Sequence, residues 1–125
     1  MGSLLIEKIK SSSILSSYQI IAIGTNSIAT AAMLKAGADA GATGENPVIV
    51  NCKDADLIAG PIGILAADSL LGEITPAMAI AVGQSLAQKI LLPVNKCNHH
   101  IAGIGNLTMQ ELIYDAVRQM ESLVI

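Results

Sequence analysis

The densest group of reactive side chains lies near the end of the sequence, where Lys96, Cys97, Asn98, His99 and His100 follow one another. In an extended chain, Cys97 and His99 point to one face and His100 to the other. Such a pair could form a thiolate nucleophile, which the positive charge of Lys96 would favour. The alternative is a loop with a half-buried cysteine. A metal site is not expected, because adjacent histidines on a strand diverge and a metal needs three or four convergent ligands.

Two carboxylates offer a second route to catalysis. Asp68 and Glu73 lie five residues apart in a mainly apolar stretch. Acid–base catalysis needs such a pair within a few ångströms, but neighbours on a helix face are three or four residues apart. The structural alternative is that these side chains cap a helix, close a turn or form an interface ion pair. An enzyme that uses Cys97 and His99, or Asp68 and Glu73, is one of three functions that the sequence leaves open.

A third set of residues follows the predicted strands, and these are the predicted ligand-binding residues. They are Gly24, Thr25, Asn26, Ser27, Gly60, Pro61, Gly63, Asn95, Cys97 and His99. In open α/β sheets, ligands bind outside the carboxyl ends of the strands. Polar side chains at 25–27 could bind a phosphate or hydroxyl at a helix N-terminus, and glycine allows close approach of a ligand. The structural alternatives are a helix cap at 24–27 and a tightly packed turn at 60–63.

The turn at Gly24 and Thr25 also bears on the class of ligand. A standard dinucleotide site has Asp or Glu at this place to bind the ribose hydroxyls. This turn has no carboxylate, and no arginine follows it. The sequence thus predicts a small-molecule or nucleotide ligand without a standard dinucleotide site, and it assigns no cofactor. The stretch 38–45 is rich in Gly and Ala and is predicted to be a loop, either a mobile lid or a segment packed under a neighbouring subunit.

Short apolar runs alternate with helical periods along the whole chain. This order predicts a single α/β domain over residues 1–125, with a mostly parallel sheet and helices on both faces, in a three-layer Rossmann-like arrangement. Asn46 with Pro47, and Thr75 with Pro76, are each interpreted as a helix cap followed by proline, although residues 48–50 would also suit a strand. The last helix is predicted to bury Leu112, Ala116, Met120 and Leu123. Helices are predicted at 3–10, 28–36, 46–53, 75–88 and 108–123, strands at 18–24, 56–60, 89–94 and 98–103, and a loop or helical turn at 61–74.

Composition excludes several classes of protein. The 125 residues carry a net charge of −3, and 52% are hydrophobic while only 2% are aromatic. We therefore expect no nucleic-acid partner, because both a basic surface and aromatic stacking platforms are missing. Asp56 and Asp68 interrupt the longest apolar stretch, so no membrane span is predicted. Two cysteines suit a reducing, cytoplasmic compartment. The high apolar content indicates either elements buried on both faces or a large subunit interface, and a homo-oligomeric structural or partner-binding protein is the third open function.

Several motifs resemble an uncharacterised bacterial family of unknown function. They are IGTNS at 23–27, AAMLKAGAD at 31–39, GATGEN at 41–46, VNCKDAD at 50–56, GPIG at 60–63, LGEITPAM at 71–78 and PVN at 93–95. The resemblance covers roughly residues 2–104. It implies a Rossmann-like fold that opens with a strand and a Gly-rich turn. Here only Gly2 matches the end of that turn, so the resemblance assigns no phosphate-binding residue to this chain.

The strand that the resemblance implies would lie in the centre of the sheet. Its side chains would contribute on the order of 10 kcal/mol of apolar burial, comparable to the stability of a small domain. We therefore expect a longer natural chain, a neighbouring subunit that fills the gap, or a different strand pairing. The first of these is favoured, and it predicts that adding the strand raises stability.

Overall fold

The computed structural model of the protein describes residues 1–94 and 98–125. Asn95 and Cys97, two of the predicted ligand-binding residues, lie outside the described residues, as does Lys96. Residues 1–44 and 109–125 form one compact unit, and residues 45–108 form a second. Each unit contains helices and one pair of parallel strands, which confirms the α/β class.

The elements follow one another with short connections through most of the chain. In order they are α1 (Gly2–Lys10), β1 (Ile21–Gly24), α2 (Ser27–Lys35), β2 (Ala40–Thr43), α3 (Glu45–Asn51), β3 (Leu57–Pro61), a 3₁₀ helix (Ile62–Leu65), α4 (Pro76–Gln84), β4 (Gln88–Leu92) and α5 (Met109–Val124). Within the part of the chain that the structure describes, no helix is both long and apolar enough to cross a membrane.

Strands β1 and β2 form the parallel pair of the first unit, with Ile21 opposite Ala40 and Gly24 opposite Thr43. The prediction of a loop over 38–45 is therefore wrong for residues 40–43. The side chains of β2 are too small to show the apolar alternation or β propensity by which strands are recognised. Backbone pairing to β1 defines this strand.

Asp39 is hydrogen-bonded to Ile20 at the amino-terminal end of this strand pair. Its N–H donates to the C=O of Ile20 over 2.9 Å, and its carboxylate accepts from the N–H of Ile20 over 2.7 Å. Lys10 lies 3.7 Å from the other carboxylate oxygen. The Ile20 hydrogen bond, and to a smaller extent Lys10, hold the pKa of Asp39 below its ordinary value despite partial desolvation.

This lowered pKa predicts a pH dependence of stability. Asp39 binds its proton more weakly in the folded chain than in the unfolded chain. Its contribution to the free energy of unfolding is therefore fully present above the unfolded pKa near 3.8. That contribution is lost as the pH falls through the lower folded pKa. Denaturant titrations between pH 6 and pH 3 should therefore show a steeper loss of stability in the wild type than in Asp39→Asn. Lys10→Met keeps the Ile20 hydrogen bond and should retain most of the slope; equal flattening in both variants would contradict this account.

In the second unit, β3 and β4 pair in parallel from Leu57 opposite Gln88 to Pro61 opposite Leu92. Helix α4 begins at Pro76, and the hydroxyl of Thr75 accepts from the N–H of Met78 over 3.2 Å. The predicted cap and proline at this helix are thus confirmed, although α4 ends at Gln84 rather than near residue 88. Among the described residues, the buried apolar side chains of this unit are Val48, Cys52, Ile74, Met78, Ala79, Val82, Ala87, Ile90 and Leu92.

Three other predictions need correction. Helix α3 begins at Glu45, so Asn46 and Pro47 lie inside its first turn rather than at its cap. Residues 98–103 contain no strand, and Asn98 has a φ of +67°. Helix α5 buries Ile113, Ala116, Val117 and Met120. Ala116 and Met120 are buried as predicted, whereas Leu112 is half-buried and Leu123 is exposed. The buried residues follow the i, i+3, i+4, i+7 spacing of one helix face, which is rotated relative to the predicted face.

Candidate functional site

The carboxyl ends of β1 and β2 bring polar groups together around Thr30, a buried residue of α2. The Thr30 hydroxyl lies 2.8 Å from the hydroxyl of Thr43. It also lies 3.2 Å from the C=O groups of Asn26 and Ala42, and the N–H of Gly44 donates to the C=O of Gly24 over 3.0 Å. This network fixes the end of the sheet against the start of the helix.

The first turn of α2 presents exposed polar groups at this edge. The side-chain oxygen of Asn26 accepts from the N–H of Ala29 over 2.9 Å, which confirms the predicted cap. Asn26, Ser27 and Ile28 are exposed, and the N–H groups of Ser27 and Ile28 have no partner inside the helix. No acidic residue lies in this turn to offset the positive end of the helix dipole.

Gly24 is needed for close packing at this edge. An added Cβ would lie 2.8 Å from the Thr30 nitrogen and 2.9 Å from the Asn26 oxygen, and it would also meet the Thr30 hydroxyl. The structural reason for this glycine is therefore contact with α2. Its role toward a ligand stays a prediction. Thr30 and Thr43 were not among the predicted site residues, although Thr30 lies four residues after the cap, where its hydroxyl can reach the first carbonyl of the helix.

The predicted turn at 60–63 lies at the carboxyl end of β3. Gly60 and Pro61 are the last two residues of the strand, and Gly63 is a buried residue of the 3₁₀ helix. The hydroxyl of Ser69 donates to the C=O of Gly63 over 2.6 Å. An added Cβ at Gly60 would lie 3.2 Å from the side chain of Ile64. The contact with Ile64 gives a packing reason for Gly60, and the binding role of both glycines stays a prediction.

The segment with Asp68 and Glu73 forms a closed turn instead of a helix. Asp68, Leu70 and Leu71 have φ values of +65°, +55° and +56°, and Gly72 has +87°. The N–H of Asp68 donates to the C=O of Ile74 over 2.7 Å, which ties the two ends of the turn together. Both carboxylate side chains are exposed. Left-handed backbone at three residues other than glycine stores strain in this turn.

Leu71 allows this strain to be measured, because its side chain is fully exposed at 106%. Leu71→Gly should raise the free energy of unfolding by about 0.5–1 kcal/mol, since relief of the left-handed strain exceeds the entropic cost of glycine. Leu86 is equally exposed, at 101%, and has no positive φ. Leu86→Gly should therefore lower the free energy by up to about 1 kcal/mol. Chemical denaturation measures both changes, and a loss of stability in Leu71→Gly would refute the prediction.

The reactive side chains within the described parts of the chain include one cysteine and two histidines. Burial raises the pKa of the Cys52 thiol, against a smaller lowering by Lys89, so this thiol is protonated at neutral pH and is a poor nucleophile. His99 and His100 are exposed. Among residues 1–94 and 98–125, no group of three or more His, Cys, Asp or Glu side chains could hold a metal ion. The pairing of Cys97 with His99 falls partly outside the described residues and stays a prediction.

A cleft between α1 and α5 brings together residues that the sequence did not single out. Its volume is about 230 Å³, and it is lined by Lys8, Ser11, Ser12, Tyr114, Val117, Arg118 and Glu121. The two sides are about a hundred residues apart in the sequence, so only the packing of α1 against α5 reveals them. The signal that the sequence does contain is local: Tyr114, Val117, Arg118 and Glu121 share one face of a helix.

Comparison with known proteins places the chain in a family. Searches of the curated proteins and of the solved structures gave no match. A family model described as "Domain of unknown function (DUF3842)" matches residues 1–125. The chain therefore belongs to this family of domains of unknown function, over its whole length.

Proposed function

We propose that this protein is a small-molecule-binding α/β domain that holds a phosphate-bearing ligand of the nucleotide class at the carboxyl ends of β1 and β2. The observation that supports this proposal is the exposed first turn of α2, which begins three residues after β1 ends and carries no acidic residue. The N-terminus of a helix in this position favours an anion through its N–H groups and its dipole.

The side chains around this turn suit a nucleotide better than a bare anion. Ser27 and Thr43 are exposed residues whose hydroxyls can bind phosphate or ribose oxygens, although the hydroxyl of Thr43 also contacts that of Thr30. Ile28 is 82% exposed, and an apolar side chain beside the donors can contact the face of a base. The absence of a carboxylate at Gly24 and Thr25 argues against a standard dinucleotide here.

We also propose that the fold is a three-layer Rossmann-like arrangement. Two observations support this: each unit holds two parallel strands joined through a helix, and β1 pairs only with β2 within the described residues. The C=O groups of Ile20 and Gly24 accept hydrogen bonds from the β2 side. Ile21 and Ile23 therefore direct their backbone groups to the opposite edge, where another strand could pair. Rapid amide exchange at Ile21 and Ile23 would support a free edge, and strong protection of both would refute it.

The ligand proposal can be tested by combining nucleotide binding with Ser27→Glu. A carboxylate at this position stabilises the helix N-terminus but repels a phosphate. A panel of mono- and diphosphate nucleotides should raise the melting temperature of the wild type. Ser27→Glu should remove this effect without lowering the melting temperature of the free protein. Ser17→Glu adds the same charge at an exposed position outside the helices and should leave binding intact.

Two results would refute the ligand proposal. One is that no nucleotide changes the melting temperature of the wild type. The other is that Ser27→Glu and Ser17→Glu bind equally well, since a carboxylate at the first turn of α2 would then affect binding no more than one elsewhere in the chain.

Assembly of several copies is a second candidate function, and specific exposed side chains favour it. Leu71 and Leu86 are fully exposed, and Ile28 and Ile80 are more than half exposed. Apolar side chains of this size are stabilised when a subunit interface covers them. Light scattering at micromolar concentration should give a mass above that of one chain, and a monodisperse monomer would rule this function out.

A further inference from the structure

We propose that the cleft between α1 and α5 binds a small zwitterion, a free amino acid by chemical class. Its lining combines a fixed carboxylate, two cationic side chains and an aromatic ring within a volume of about 230 Å³. This is smaller than the roughly 300–1,000 Å³ of pockets that take drug-sized ligands, and it suits a molecule of a few non-hydrogen atoms. The inference does not depend on the nucleotide site at the first turn of α2.

The carboxylate of Glu121 is held in place on one side of the cleft. Its Oε2 atom accepts a hydrogen bond from the hydroxyl of Ser12 over 2.6 Å. Ser12 is only 8% exposed, and its oxygen also accepts from the N–H of Leu15 over 3.2 Å. Only one of the two carboxylate oxygens is used in these contacts. The other can accept from a ligand ammonium group.

The cationic groups of the cleft come from both helices. The ammonium of Lys8 lies 5.8 Å from the centre of the Tyr114 ring. It forms no ion pair with a described residue, whereas Lys10 pairs with Asp39. Arg118 contacts Asp115 through Nη2 over 3.0 Å, which leaves other N–H donors of its guanidinium for a ligand. Lys8 and Arg118 can together bind a ligand carboxylate.

The mixture of charges determines the class of ligand. A simple anion would be repelled by Glu121, and a simple cation would be repelled by Lys8 and Arg118. A molecule with an ammonium group and a carboxylate a few ångströms apart satisfies both sides. Val117 and the Tyr114 ring provide apolar contact for a short side chain.

The test is calorimetric titration of the whole chain with L-alanine, L-serine, L-glutamine and L-glutamate. At least one of these should bind, and its methyl ester and N-acetyl derivatives should bind about tenfold more weakly or worse, since each lacks one of the two charges. Glu121→Gln should weaken binding of the free amino acid by a similar factor while leaving the N-acetyl derivative unchanged. Lys8→Met should weaken the free amino acid and leave the methyl ester unchanged.

A matched control distinguishes the loss of a contact in the cleft from the loss of a positive charge elsewhere in the unit. Lys35→Met removes a positive charge from the same unit at a residue that does not line the cleft, so it should bind as the wild type does. The proposal is overturned if none of the four amino acids binds. It is also overturned if the ester and the N-acetyl derivative bind as well as the free amino acid, or if Lys8→Met and Lys35→Met behave alike.

Discussion

Gly24→Ala is expected to lower the free energy of unfolding by about 3–5 kcal/mol, because the added methyl group overpacks the site and disrupts a buried hydrogen-bond network. Two of the atoms that it would meet belong to the backbone, the Thr30 nitrogen at 2.8 Å and the Asn26 oxygen at 2.9 Å. Neither can rotate away, so relief requires a shift of the whole first turn of α2. A loss of this size is a large part of the roughly 5–15 kcal/mol that stabilises a typical domain.

The third atom that an added Cβ at Gly24 would meet is the hydroxyl oxygen of Thr30, which joins α2 to the end of the strand pair. It contacts the C=O groups of Asn26 and Ala42 and the hydroxyl of Thr43. Moving it leaves buried polar groups without partners, at about 1–3 kcal/mol each. The same displacement would move the first turn of α2, so the variant should lose the proposed nucleotide binding together with stability.

Gly83→Ala serves as the matched control. Gly83 lies in α4, and an added Cβ there would come no closer than 3.9 Å to a described side chain, that of Leu65. The substitution should therefore raise stability by about 0.5–1 kcal/mol, as expected for glycine in a helix. Urea titrations of the free proteins measure both effects. A Gly24→Ala chain as stable as the wild type would refute the role of this glycine in the packing of α2.

The elements that were predictable from the sequence are those marked by a capping residue, a proline or the alternation of strands and helices. Asn26 before an apolar helix predicts the cap of α2, and Thr75 with Pro76 predicts the start of α4. The alternation of strands and helices predicts the α/β class. By contrast, β2 has the sequence Ala-Gly-Ala-Thr and resembles a loop, because its only structural signal is backbone pairing with β1.

The turn at 68–73 shows a different limit of prediction. Leucine strongly prefers the right-handed region, so nothing in the sequence indicates that Leu70 and Leu71 adopt positive φ. The tertiary hydrogen bond from Ser69 to Gly63, and the bond from Asp68 to Ile74, impose this conformation. For the same reason, the relative positions of Asp68 and Glu73 could not be predicted from their separation in the sequence, because that prediction requires a regular helix.

The candidate sites were predictable to unequal degrees. Asn26 and Ser27 follow a strand and begin a helix, which the sequence shows directly. The α1–α5 cleft depends on contact between residues near positions 8–12 and 114–121, which no local pattern links. A polar side chain such as Ser12 appears in the sequence as part of a serine-rich break after α1. Its burial against α5 gives it a structural role.

Leu92→Ala is the second substitution with a large expected effect. Leu92 is 1% exposed and is the last residue of β4, opposite Pro61 of β3. Removing its three terminal carbons deletes buried apolar contacts and leaves a cavity, at a cost of about 2–5 kcal/mol. We expect the upper half of that range, because a backbone paired in a parallel ladder resists collapse into the cavity.

Two control variants show whether the loss of stability in Leu92→Ala comes from the buried position and not from the change of leucine to alanine itself. Leu86→Ala removes the same atoms from a fully exposed side chain of the second unit and should change stability by less than about 0.5 kcal/mol. Leu92→Met retains most of the volume and should cost less than about 1.5 kcal/mol. Equilibrium unfolding in urea ranks the three variants. If Leu92→Ala cost no more than Leu92→Met, the surrounding side chains would have to fill the space, and the rigidity expected of the paired backbone of β4 would be refuted.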